Sequence, residues 1–233
     1  DGGASPLLVA LDDGHWFDSA SWALTAQVAS QVRPLLLAIA TRPLAEPLPN
    51  DYRRLRDDPA SDRLPLQPLD PGDTLTLVCS RLGVSSLPER VAGLIEARAQ
   101  GNPFFSEELA YALRDTGLIR ITDGRCAIAP GAGDLSSVSF PDTVQGVVAG
   151  RIDRLPPGQE LTLKVASVVG RLFGFRILRD IHPIEADRSS LPEQLEDLQR
   201  HDFTMLDTPD PDLAYLFKHV VTQEVAYSLL LSA

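Results

Sequence analysis

The 233-residue sequence predicts an α/β segment followed by a mainly α remainder. Three observations carry that expectation. Two short apolar runs, 7–11 and 34–40, flank a helical pattern at 19–32, the spacing of a parallel strand–helix–strand unit. Beyond residue 71, apolar residues recur every three or four positions through successive segments, the period of amphipathic helices. A Gly/Ser-rich stretch at 131–138 then separates two helical regions, so the expected segments are 1–70, 71–130 and 139–233.

The first run, Leu7-Leu8-Val9-Ala10-Leu11, is apolar without alternation, as in a strand covered on both faces of a parallel sheet. It stops on Asp12 and Asp13. Asp18 or Ser19 supplies the N-cap for the helix at 19–32. The second strand ends on Thr41-Arg42-Pro43, and 45–62, rich in Pro, Asp and Arg, reads as a loop with one short helix near 51–56. The stretch 64–69 reads as an edge strand, because Pro65 and Pro68 cannot donate to a ladder. Helices are expected over 73–82, 88–99 and 104–116. A hairpin follows, its strands at 117–121 and 125–129 joined through Thr122-Asp123-Gly124, where the Asp-Gly step supports positive φ. After the linker only helices are expected at 143–154, 159–170, 176–181 and 191–200; a late strand at 213–217 leads into a helix at 219–231. The chain starts on Asp1 and stops inside an apolar helix, so it reads as a fragment of something longer.

Composition narrows the function. Asp and Glu number 32 against 21 Lys and Arg, a net charge of −11, which opposes binding to a nucleic-acid backbone, since that draws on Lys and Arg. Cys79 and Cys126 are too few for a disulfide framework or a metal knuckle, which fits the cytoplasm. No apolar run is long enough to span a bilayer, so membrane contact is not expected either.

Four stretches carry chemistry. Paired acids at the tip of a buried strand are what a nucleoside triphosphatase uses: Asp12 to hold hydrated Mg²⁺ and Asp13 to orient the attacking water. The same acids also suit caps and turns. Thr41 and Arg42 place a hydroxyl and a guanidinium at the end of the neighbouring strand, where they can sense a γ-phosphate. In Gly101-Asn102-Pro103-Phe104-Phe105, Gly101 can end one helix in left-handed geometry and Pro103 suits the first turn of the next. His219 stands at a helix start, within reach of a phosphate or of a core carbonyl. The chain contains no G-x-x-x-x-G-K-[ST] phosphate cradle.

Taken in this order, these stretches resemble the signal-transducing ATPases with numerous domains, a branch of the AAA-like P-loop proteins. Leu8-Val9-Ala10-Leu11-Asp12-Asp13-Gly14-His15-Trp16 is similar to their Walker B strand, 35–43 to the sensor strand, and Gly101-Asn102-Pro103 with Glu107-Glu108-Leu109 to the Gly-x-Pro motif of the helical lid. Phe217-Lys218-His219 with Gln223-Glu224 resembles their winged-helix segment. Gly14 departs from the pattern, which more often has a larger residue there. The resemblance implies the end of a parallel P-loop sheet, a helical lid and a winged-helix-like domain. It also implies ATP/ADP and Mg²⁺ as cofactors, Pro103 near the base with Asn102 beside it among the nucleotide-binding residues, and His219 on the β-phosphate of a closed, ADP-bound state.

A narrower resemblance, carried by 161–173, Ile181-His182-Pro183 and 217–227, is to the ATPase region of bacterial multidomain class III adenylate/guanylate cyclases. It implies an ATP-dependent regulatory switch acting on a cyclase or another effector domain of the same chain, with protein partners or a homo-oligomer. Two alternatives stand beside it. One is the regulatory ATPase of a LuxR-type transcription activator, which shares the Asp12-Asp13 and Gly101-Asn102-Pro103 regions; the other is an interaction scaffold that binds no nucleotide.

Overall fold

A computed structural model describes residues 5–132, 135, 140–209 and 211–231. The chain divides into two compact units, 1–67 and 68–233. In the first, β1 (Leu7–Leu11) and β2 (Leu35–Ile39) pair in parallel, with Leu7 opposite Leu35 and Leu11 opposite Ile39. Between them runs α1 (Ser19–Gln31), opened by Asp18, whose carboxylate accepts from the Ser21 amide at 2.8 Å. Trp22 of α1 is buried against Phe17 and against Tyr52 of α2 (Asn50–Arg56).

Two expectations are corrected here. The first strand is not covered on both faces: Leu7, Leu8 and Leu36 are exposed, because among the described residues the sheet has two strands. The stretch 64–69 is not a strand. Leu64 and Leu66 project into solvent, and Pro65 and Pro68 leave too few donors for a ladder.

The second unit holds two apolar cores. Around the first pack α3 (Pro71–Leu82), α4 (Glu89–Ala99) and α5 (Pro103–Asp115), through Val78, Val91, Ile95, Leu109 and Leu113. Asp70 caps α3, accepting from Asp73 N, and Gly83 ends it in left-handed geometry. From Phe105 to Leu113 every residue of α5 is buried, so this helix is central rather than amphipathic. The hairpin of β3 (Ile119–Thr122) and β4 (Arg125–Ile128) turns through Asp123 and Gly124, both at positive φ (50° and 70°), as a two-residue turn requires. Most of the expected linker at 131–138 lies outside the described residues.

The second core gathers α6 (Val144–Ile152), α7 (Pro157–Val169), β5 (Leu172–Gly174), α8 (Phe175–Ile181), α9 (Leu191–Arg200), β6 (Thr204–Thr208), β7 (Ala214–Phe217) and α10 (Val220–Leu231). The expectation of helices alone before a late strand is corrected: β5, β7 and β6 form an antiparallel sheet in that order. β7 needed partners, and β5 and β6 supply a ladder on each of its edges. Helix α6 straddles both cores, Val147 in one and Val148 in the other.

A buried ion network fastens the same joint. Arg151 of α6, 2 % exposed, donates to Glu108 Oε2 (2.7 Å), Asp115 Oδ2 (2.9 Å) and the His201 carbonyl (2.5 Å). Its guanidinium lies over the Tyr111 and Phe203 rings at 4.9 and 4.5 Å. Among the described residues no helix is long and apolar enough to cross a membrane.

Candidate functional site

Each unit contributes its own candidate residues. In the first, parallel pairing brings the carboxyl ends of β1 and β2 to one edge of the sheet. Ala40 N donates to Leu11 O (2.8 Å) and Gly14 N to Ala40 O (2.9 Å), tying the two exits together. Asp12 and Asp13 leave from β1, Thr41 and Arg42 from beyond β2, and all four are exposed. Asp18, not this pair, caps α1. Asp12 Oδ1 accepts from the Asp13 amide (2.9 Å), whereas the Asp13 carboxylate makes no cap to the one-turn 3₁₀ helix Gly14–Trp16 that follows it. It lies 3.7 Å from His15 Nδ1.

Asp13 itself holds φ at 54°, a left-handed conformation that costs a non-glycine residue about 1–2 kcal/mol. Such strain persists where the surroundings over-determine it, and functional sites concentrate it. Gly14 explains part of that determination. A Cβ on Gly14 would stand 3.1 Å from Ile39 Cγ2 and 3.3 Å from the Trp22 ring, so a side chain there would make these neighbours give by a few tenths of an ångström. Thr41 Oγ1 donates to the Arg42 carbonyl (2.9 Å).

For a metal, Asp12 and Asp13 offer two exposed carboxylates, of which Asp12 Oδ1 already accepts from the Asp13 amide. Mg²⁺ takes one or two carboxylates and completes its shell with water and substrate phosphates, so these acids fit Mg²⁺ carried by a nucleotide rather than a closed protein cage. Among the described residues no three His, Cys, Asp or Glu side chains converge on such a cage.

In the second unit Asn102 is occupied by the fold. Its carboxamide oxygen accepts from Phe105 N (3.0 Å) and its carbonyl accepts from Ser106 Oγ (2.8 Å), which makes it the N-cap of α5. Pro103 follows at the first helical position, exposed. Gly101, at φ 76°, brings the backbone so close to Leu69 that an added Cβ would lie 2.4 Å from its carbonyl oxygen.

His219 sits just before α10, its ring 4.2 Å from the Phe104 ring and its Nε2 3.7 Å from Glu107 Oε2. The other carboxylate oxygen of Glu107 accepts from Arg81 Nε at 2.9 Å. Burial alone would push the Glu107 carboxyl up, but the His219 imidazole and the Arg81 guanidinium outweigh it and hold it below the usual carboxylate range. The fold therefore gathers Phe104, Glu107, His219 and Arg81, with Asn102 and Pro103 at the start of the same α5. Sequence reasoning quoted Glu107 without a role and passed over Arg81. The available signal was an acid inside the apolar run 104–113, which must find a cation once buried.

Residues 72–127, the three helices α3–α5 with the hairpin, match the model of a domain of unknown function, DUF8739. The chain is also similar to uncharacterized protein R02095 of Rhizobium meliloti (strain 1021), 26 % identical over 240 residues. That alignment covers 97 % of this chain and 21 % of the relative, so the chain spans about a fifth of the protein it resembles.

Proposed function

We propose that this chain is the latter part of a nucleotide-dependent switch within a longer signalling protein, binding ATP or ADP with Mg²⁺ and controlling an effector such as a nucleotide cyclase. The observation that carries the reading is the parallel pairing of β1 and β2, from whose carboxyl ends exposed Asp12 and Asp13 follow one strand and exposed Thr41 and Arg42 the other. The helix–strand–helix–helix–strand–strand order from α7 to β7, with its β5–β7–β6 sheet, supports a winged-helix-like end. In this reading Asp12 would hold hydrated Mg²⁺, which when bound would neutralise phosphate charge. Asp13 orients the water that attacks the γ-phosphorus and takes up its proton as the bond to the β-bridging oxygen breaks. Thr41 and Arg42 register the γ-phosphate, Pro103 borders the base from the turn that Asn102 caps, and His219 meets the β-phosphate in the closed state. Loss of the γ-phosphate contacts then shifts the balance between two domain arrangements.

An equilibrium titration of the full-length parent protein with ATP and ADP tests this. Saturable binding that Asp12→Ala and Asp13→Ala weaken is expected, with weak or absent binding by residues 1–233 alone. A parent protein indifferent to nucleotide would leave the scaffold reading instead.

A further inference from the structure

We infer that Glu107 is the positioning residue for His219: its free carboxylate oxygen accepts a hydrogen bond from the imidazole Nε2–H, so that in the protonated ring the second N–H, on Nδ1, is the donor presented to an incoming phosphate oxygen. This rests on the reading of His219 as a phosphate ligand. Four observations lead to it. The Glu107 side chain is 5 % exposed, in the continuous buried stretch of α5, so it has no route to solvent. Arg81 of α3 occupies Oε1, which leaves Oε2 as the open acceptor. Both Oε2 and His219 Nε2 are enclosed and lack a hydrogen-bond partner, and they face each other across 3.7 Å. A small approach of the ring satisfies two buried polar groups at once, the arrangement interiors favour.

The remaining neighbours leave this pairing unopposed. Phe104 packs on the imidazole and resists its rotation. Lys218, next in sequence, is committed to Tyr111 Oη (3.0 Å) and Asp202 Oδ1 (2.7 Å) and does not compete for Glu107. The His219 side chain retains 28 % of its surface although Nε2 is enclosed, so its open side lies on other ring atoms, among which Nδ1 is the polar one. Which nitrogen of a histidine holds the proton is set by the bond made by the other, and a carboxylate on one side orients the ring for work on the opposite side. Arg81 and Glu107 cancel in charge, so a protonated His219 gives the cluster one net positive charge, suited to an anion.

Nitrogen-15 NMR of the 233-residue chain, labelled at histidine and recorded at alkaline pH where the ring is neutral, reads the tautomer directly. The native chain should show His219 protonated on Nε2; an Nδ1–H tautomer there overturns the inference without any variant. Glu107→Gln sharpens the test. Its amide oxygen stays with Arg81 and its NH₂ donates to His219 Nε2, so the proton should move to Nδ1; an unchanged tautomer overturns the inference. ADP titration of the full-length parent separates the two layers. Absence of ADP binding overturns the nucleotide reading while leaving the tautomer result intact. ADP binds through the doubly protonated ring, which the carboxylate supports and the Gln NH₂ opposes; ADP binding that Glu107→Gln weakens about tenfold therefore supports the positioning role, whereas equal affinity overturns it.

Discussion

Neighbouring acids on α5 are held by cations far away in sequence. Glu107 is paired with a residue 26 positions earlier and Glu108 with one 43 positions later. A helix-length window contains the acids and not their partners, so 104–116 was legible as a helix while the burial of its charges was not. Two consequences can be measured. Because the folded Glu107 carboxyl is held below its ordinary value of 4.5, the unfolded chain binds its proton more readily. The stability it contributes is complete above that value and is lost as pH falls through the lower, folded one. Melting temperatures should therefore fall more steeply below about pH 4.5 for the native chain than for Glu107→Gln; parallel profiles would contradict the assignment. Arg151 offers a larger effect. Arg151→Met strands Glu108 as a buried carboxylate, while Asp115 keeps Arg114 Nε at 2.9 Å, and should cost about 3–5 kcal/mol in urea denaturation. Adding Glu108→Leu should recover part of that, whereas a loss under about 1 kcal/mol would show the network to be well solvated.

At the level of elements, legibility followed how local each signal was. The β1–α1–β2 unit, the capped helices α3 and α5 and the Asp-Gly hairpin were readable because caps, turn residues and apolar period all lie inside the element itself. β5 and β6 were not. β5 is three residues long inside an otherwise helical region, and β6 (Thr204–Thr208) has an irregular register against β7, so neither shows a period of two. Tertiary pairing with β7 made them strands. The stretch 64–69 failed in the opposite sense, having the composition of a strand and no partner strand among the described residues. Gly101 tests how firmly one connection is built. Both Gly101 and Gly83 hold positive φ (76° and 66°), but a Cβ collides with Leu69 at the first and meets nothing within 4 Å at the second. Gly83→Ala should thus cost only the left-handed penalty of about 1–2 kcal/mol. Gly101→Ala should cost measurably more, since backbone must also move. Equal losses for the two in chemical denaturation would mean that the Leu69–Gly101 contact is readily relaxed.

Across the whole molecule, apolar burial is divided very unevenly, and this governs what each unit can do by itself. Both apolar cores lie entirely within 68–233. In the described part of 1–67, Trp22 is the one apolar side chain fully withdrawn from water, while Leu8 and Leu36 on the paired strands remain 64 % and 67 % exposed. The same division explains the legibility of the candidate site. Asp12, Asp13, Thr41 and Arg42 follow apolar runs directly and announce themselves in sequence; Arg81 and Glu107 acquire meaning only from a packed interior. A two-stranded sheet with one helical crossover buries too little to offset chain entropy. Residues 68–233 expressed alone should therefore unfold cooperatively in thermal and urea scans, with coincident circular-dichroism and fluorescence transitions. Residues 1–67 alone should show no such transition, and their exposed leucines should bind a hydrophobic dye. A cooperative melt from the isolated 1–67 would mean that its two strands and α1 hold the Asp12-Asp13 edge in place unaided, and that its exposed leucines are not a stability deficit.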